Sequence, residues 1–236
     1  MRVIASPEAV SITAIAAHPD DIESWCAGTL VQAIDRGAMV RLLLVTSGEH
    51  GSSDLKRHVQ DVAAQREDEA RKAAAILGIA EVVFLHYPDG DVEDTHALRS
   101  DLVKWIRHWQ PSIVFTHDPE HPSPAYLCHR DHRIVGRAAL DAVYPLARDH
   151  LAFAEQVQAG TRPHKVSEVW LFASNNAETY VDITTGFERK LAARLAHRSQ
   201  TPDAAALSAG WRARSTSIGK DANLVLAETF TRLKLD

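Results

Sequence analysis

Apolar residues along the chain occur in two patterns: short unbroken runs, and longer segments where they recur every three or four positions. The runs SITAIAA (11–17), MVRLLLVT (39–46), EVVFLHY (81–87) and SIVFTHD (112–118) have the length and β-rich composition of strands buried on both faces. Two shorter stretches, 168–173 and 179–184, predict further strands. Between the runs lie helical patterns. Ile22, Trp25, Cys26, Leu30, Val31 and Ile34 repeat at helical spacing and predict one helix over 22–34, stopped by Gly37. Further helices are predicted over 59–77 with Gly78 as the stop, 96–109, 132–144 and 187–197. Residues 117–128 read as a Pro- and His-rich loop and 145–163 as a long surface loop. The tail from 201 shows no dominant period. Strands alternating with helices predict an α/β domain with a parallel sheet, in one unit over 1–236.

Composition narrows the partners. Lys plus Arg number 26 against 31 Asp plus Glu, and LKRH (55–58) is the longest basic run, so no phosphate-tracking surface for nucleic acid is expected. Two cysteines, Cys26 and Cys128, are too few for a disulfide framework. No apolar stretch approaches the roughly 20 residues a spanning helix needs, and the N-terminal residues lack a secretory pattern. The expectation is a cytoplasmic protein that neither spans nor binds a membrane, acting on a soluble small molecule.

In open α/β sheets, ligands bind beyond the carboxyl ends of the strands, where strand order reverses. Polar clusters follow each of the first four predicted strands: HPDD, TSGEHG, YPDGD and HDPEHPSPAYLCHRDH. Of 13 histidines, His18, His50, His117, His121, His129 and His132 lie in three of these loops. His18 and Asp21 are three residues apart at a loop-to-helix junction, and His129 and His132 repeat that spacing. Brought into one crevice, the two pairs offer the mixed nitrogen and oxygen donors that zinc or a similar divalent cation accepts. Any one of these histidines read alone is an ordinary cap or surface hydrogen-bonder. The paired clusters at strand ends carry the metal reading.

AHPDDIE (17–23) and HRDHR (129–133) resemble the two signature motifs of the LmbE-like, or PIG-L, N-acetylglucosaminyl deacetylases. The resemblance continues through RxxEAxxAAxxLG (66–78), YPDGD (87–91), EVWLF (168–172), VDIT (181–184) and KLAARLAHRSQ (190–200), over nearly the whole chain. It implies a Rossmann-like, mostly parallel sheet flanked by helices, with the active site at the carboxyl ends of the strands. It implies also a zinc-dependent amide hydrolase that removes acetyl, or a similar acyl group, from an N-acetylated amidosugar or its conjugate. The implied metal ligands are His18, Asp21 and His132, the general base is Asp20, and the transition-state-stabilising histidine is His129. A homo-oligomer, trimer or hexamer, is implied as well.

The residues agree with that chemistry. A cation held by two imidazoles and a carboxylate makes an amide attackable near neutral pH. It also favours the ionised forms of the adjacent Asp20 and Asp21, so the two carboxylates need not repel. Asp131 is expected either to orient His129 or to cap a helix. Arg66, Asp89, Glu49 and His50 are the candidate substrate contacts, although a surface arginine and a plain PDG turn explain Arg66 and Asp89 equally well. His117 and His121 are read as substrate rim or structural loop, His197 as a family-typical residue without a role, and Cys128 as structural. A metal phosphoesterase is the alternative, weakened by the shortage of bridging carboxylates. A nucleotide-binding module is disfavoured because the first turn reads AHPDDIE and not G-x-G-x-x-G.

Overall fold

The computed structural model describes residues 2–4, 7, 11–120 and 129–235. In chain order the elements are β1 (Arg2–Ile4), β2 (Ser11–Ala16), α1 (Asp21–Trp25), α2 (Ala27–Asp35), β3 (Met39–Leu44), α3 (Val59–Leu77), β4 (Glu81–Phe84), α4 (His96–Trp109), β5 (Ile113–His117), α5 (Arg130–Asp141), α6 (Ala154–Gln158), β6 (Glu168–Phe172), β7 (Thr179–Asp182), α7 (Phe187–Ala196), α8 (Ala204–Asp221) and β8 (Ala227–Lys234).

The strands form one sheet in the order β1-β7-β8-β6-β5-β2-β3-β4. All neighbours pair in parallel except β8, which runs antiparallel between β6 and β7. The unbroken apolar runs follow from burial on both faces. Ile12, Ala14 and Ala16 of β2 join one core with α1, α2, α3 and α7, whereas Ile15 and Ala17 join a second core with α4 and α5. Chain order steps from β2 outward to β3 and β4, then returns to β5 on the other side of β2. The switch point therefore lies between the carboxyl ends of β2 and β5.

Four expectations change. The helix over 22–34 is two helices broken at Cys26, because Glu228, distant in sequence, caps the second one. Its carboxylate accepts from Gly28 N at 3.0 Å, Thr29 N at 2.8 Å and Thr29 Oγ1 at 2.6 Å. A Cβ on Gly28 would sit 2.8 Å from Ile183 Cβ, so the close approach demands glycine there. The helix expected over 132–144 starts earlier, at Arg130, and gives way to a wide turn over 142–146. The expected 145–163 loop contains α6 and is organised by Arg107, which donates to the carbonyls of Leu146, Asp149 and Ala152 at 3.0, 2.7 and 2.8 Å. The patternless tail forms α8 and β8. Among the described residues no helix is long and apolar enough to cross a membrane.

Candidate active site

The loop leaving β2 enters α1 through Asp20, whose φ of +91° lies in the left-handed region. That conformation is costly for a residue with a Cβ and is least costly for Asp and Asn. It turns Asp20 and Asp21 in different directions. Asp21 points back at the loop, accepting from His18 N at 2.8 Å. Its carboxylate also lies 3.5 Å from His18 Nδ1 and 3.1 Å from His132 Nε2, and those two imidazole nitrogens are 3.1 Å apart. A tetrahedral zinc with bonds of about 2.0–2.1 Å places its donors about 3.3 Å from one another. The two imidazole nitrogens, with Asp21 Oδ2 facing His18 and Asp21 Oδ1 facing His132, thus have separations close to those a single small cation imposes.

Asp20 turns the other way. Its Oδ1 lies 3.2 Å from Arg66 Nη2 and its Oδ2 3.4 Å from Arg194 Nη2. Both guanidinium groups are fixed by other acceptors, Arg66 by Gly48 O at 2.8 Å and Pro19 O at 2.7 Å, and Arg194 by Thr201 Oγ1 at 2.7 Å and Gln200 O at 3.1 Å. Burial pushes the Asp20 carboxyl above its usual range while the two arginines oppose that shift. Burial also works against ionised Asp21, but His132 and His117 overcome it and hold that carboxyl well below the usual range.

His18 is oriented from behind. Its Nε2 lies 3.0 Å from Asp89 Oδ1 and 3.2 Å from Asp131 Oδ2. Asp131 in turn accepts from Gly90 N at 2.7 Å and Val92 N at 3.3 Å, so one carboxylate ties the YPDGD loop to His18. Burial lowers the basicity of His18, and the Asp131, Asp21 and Asp89 carboxylates raise it well past that loss. Asp89, despite burial, is held down to about 2 by His18. Asp131 therefore faces His18 through its side chain and meets His129 only through its backbone, whose N–H donates to His129 Nδ1 at 3.2 Å. With Nδ1 accepting, the neutral His129 ring carries its proton on Nε2. Burial and the neighbouring His18 and His132 lower the pKa of His129, which favours that neutral ring.

Three of the four candidate substrate contacts, Arg66, Asp89 and Glu49, have side chains engaged within this scaffold. Arg66 is 5% exposed and spent on Gly48, Pro19 and Asp20. Asp89 is 5% exposed, and besides His18 it accepts from His50 N at 3.0 Å. Glu49 Oε1 accepts from Asp89 N at 2.9 Å, and His50 is exposed. His117, read as substrate rim or structural loop, is the buried last residue of β5; it stacks on His132 with centroids 4.1 Å apart and takes the Ala17 N–H on Nε2 at 3.1 Å. Burial, reinforced by His132, lowers its pKa to about 4. His121 and Cys128 lie outside the described residues. The HRSQ segment acquires a role: His197 is buried 3.5 Å from Glu23, Ser199 Oγ donates to Glu69 at 2.6 Å, and Gln200 Nε2 donates to Gly51 O at 2.8 Å.

Residues not singled out from sequence complete the site. Arg194 carried a signal only in its membership of KLAARLAHRSQ. Trp25, Lys190, Arg214, Ile218 and Glu228 line a cavity of about 500 Å³ that opens beside His117, His129 and His132. Lys190 Nζ lies 2.5 Å from Glu228 Oε1, with both groups buried.

Comparison with known proteins adds a lineage. The family model described as PIG-L, GlcNAc-PI de-N-acetylase, matches residues 13–143. The diacetylchitobiose deacetylase of Thermococcus kodakarensis is 31% identical over 192 residues, covering 81% of this chain and 70% of that protein. The 1D-myo-inositol 2-acetamido-2-deoxy-alpha-D-glucopyranoside deacetylase of a Mycobacterium species is 26% identical over 230 residues, covering 80% and 73%. The structure of the N,N'-diacetylchitobiose deacetylase of Pyrococcus horikoshii, solved with an inhibitor, superposes with a TM-score of 0.90 at 29% identity, covering 96% of this chain and 85% of that one.

Proposed function

The chain belongs to the PIG-L, or GlcNAc-PI de-N-acetylase, family, and from that premise we propose that it is a zinc-dependent hydrolase removing an acetyl group from an N-acetylated amino sugar or its conjugate, the whole chain acting as one catalytic domain. One observation carries the reading: His18, Asp21 and His132 converge at the sheet's switch point while the neighbouring Asp20 is turned away from them and clamped by two arginines.

His18, Asp21 and His132 would hold the cation, and their donor spacing fits it. When bound, such a cation lowers the pKa of water toward about 7 and polarises an acyl carbonyl. Asp20 takes a proton from the attacking water and returns it to the leaving amine. Arg66 and Arg194 oppose the upward shift that burial imposes on its carboxyl and aim it. His129, donating from Nε2, stabilises the oxyanion that develops on the carbonyl oxygen. Asp131 and Asp89 fix the ring of His18. Among the described residues those two carboxylates face His18, and Asp21 is the carboxylate that faces His132. A two-metal phosphoesterase wants more bridging carboxylates than that.

The test is release of free amine from N,N'-diacetylchitobiose and related N-acetylated sugars, before and after chelation. Activity lost with the chelator and restored by about one equivalent of zinc is expected. Phosphate release from p-nitrophenyl phosphate with no amine from any sugar amide would overturn the reading.

A further inference from the structure

The cavity beside the histidines is larger than an acetyl group needs. At about 500 Å³ it falls in the range of whole ligand pockets. Its lining has a second property. Trp25, Ala173, Ile218 and Ala227 supply apolar surface, and four of the polar side chains among them, Glu228, Lys190, Ser174 and Arg214, are already engaged. Glu228 takes Gly28 N, Thr29 N, Thr29 Oγ1 and Lys190 Nζ at 2.5 to 3.0 Å. Ser174 Oγ bonds Thr231 Oγ1 at 2.7 Å, and Arg214 donates to Ser24 O while its guanidinium lies 4.6 Å from the Trp25 ring centroid. A sugar ring laid on the apolar surface of Trp25, Ala173, Ile218 and Ala227 would exchange its water for groups that cannot hydrogen-bond, and unpaired buried hydroxyls are costly. Hydrocarbon loses nothing by the exchange. Asp20, Arg66, Asp89, Glu49 and His50 do not line the cavity; they come from the loops after β2, β3 and β4 and from α3.

We propose that this cavity receives the acyl group of the substrate and that the protein hydrolyses amides of straight-chain fatty acids longer than acetic acid, with the amino sugar left at the polar β2–β4 side. The proposal deepens the deacetylase reading and rests on it for the catalytic step. That step is ordinary hydrolysis: the water oxygen bonds to the acyl carbon, the C–N bond breaks, and the water proton goes to the amine nitrogen.

Two measurements test it. In the first, N-acetyl-, N-butyryl-, N-hexanoyl- and N-octanoylglucosamine are compared by amine release from the zinc-loaded protein. Full burial of each added methylene is worth up to about fourfold in kcat/KM, so a rise from acetyl to hexanoyl is expected. Ile218→Trp, which fills the cavity, should cut the hexanoyl value at least tenfold more than the acetyl value. In the second, acetate, butyrate, hexanoate and octanoate are titrated as product acids against the protein by thermal shift, and affinity should grow with chain length. A tenfold or larger fall in kcat/KM from acetyl to butyryl, or acid affinity independent of chain length, would overturn the proposal. Length-dependent acid binding without amine release from any amide supports the cavity assignment and overturns the hydrolase reading instead.

Discussion

Asp131→Asn isolates the support behind His18 from the proposed metal ligands themselves. The substitution keeps shape, and the remaining amide oxygen can still accept from Gly90 N, so the YPDGD loop stays tied to α5. His18 Nε2 faces that same oxygen, Oδ2, at 3.2 Å, so what disappears is the charge that assists the bond to His18. Asp131 is held below the usual carboxylate range even against burial, by His18 and by Gly90 N, so the group removed is an ionised one. A hydrogen bond to a charged partner is worth about 1.5–3 kcal/mol net. Loss of such an outer partner of a ligating histidine weakens metal affinity about 10- to 100-fold, equivalent to about 1.4–2.8 kcal/mol. The lower end is expected here, because His18 Nε2 carries a single proton shared with Asp89 Oδ1 at 3.0 Å, and Asp89 takes it over in the variant. The same logic makes Asp89→Asn mild alone and severe together with Asp131→Asn, the double variant losing more than the sum of the singles. The assay is zinc competition against a chelating dye, with circular dichroism to confirm folding. A zinc affinity for Asp131→Asn within twofold of the parent protein, or strict additivity with Asp89→Asn, would refute the reasoning.

Asp20→Asn should retain stoichiometric zinc while kcat falls roughly 10²- to 10⁴-fold; Asn tolerates the +91° φ, so folding is not at issue, and loss of zinc would exchange the roles of Asp20 and Asp21. Arg194→Met should lower kcat roughly 10- to 100-fold with KM and zinc content little changed, because it frees one oxygen of the Asp20 carboxylate to rotate; a change confined to KM would place Arg194 on the substrate instead. Glu228→Ala should strand the buried Lys190 cation and uncap α2, costing about 3–5 kcal/mol, and at about 2–4 °C per kcal/mol in a chain of this size the melting temperature should fall by about 6 °C or more. A fall under about 3 °C would show that Lys190 finds another partner.

Local signals predicted the parts that local physics builds. The runs at 11–17 and 39–46 became strands because both faces are covered, and Gly78, at φ +87°, ends α3 where the periodic pattern stops. The HPDD and HRDH clusters fell at the switch point because helix-forming segments separate the runs by lengths suited to parallel crossovers. What sequence did not reveal depends on contacts between distant residues. Nothing near Cys26 announces a break, since the carboxylate that caps α2 lies 200 positions away. Asp131 sits between two histidines in sequence, yet its carboxylate serves a third, His18, 113 positions earlier. Arg66 and Arg194 come from different helices, and only the fold sets them on opposite oxygens of one carboxylate.

The direction of β8 explains why much of the cavity wall is built from residues outside the 13–143 segment shared with the family. In a parallel sheet each helix preceding a strand delivers its last residues to the edge opposite the active site, so ordinary βα units supply only the loops after their strands. The antiparallel β8 reverses this. Leu171, near the end of β6, pairs with Thr231, and the first residues of β8, Ala227 to Thr229, therefore lie at the edge where β2 and β5 present His18 and His117. The helix leading into β8 arrives at the same edge, bringing Arg214, Ser215 and Ile218 of α8 over the cavity. Helices that follow parallel strands also start at this edge, which is why the carboxylate of Glu228, at the start of β8, can reach the N-terminus of α2. One reversed strand thus sets an acyl-sized wall against a catalytic edge whose chemistry the preceding half of the chain already supplies.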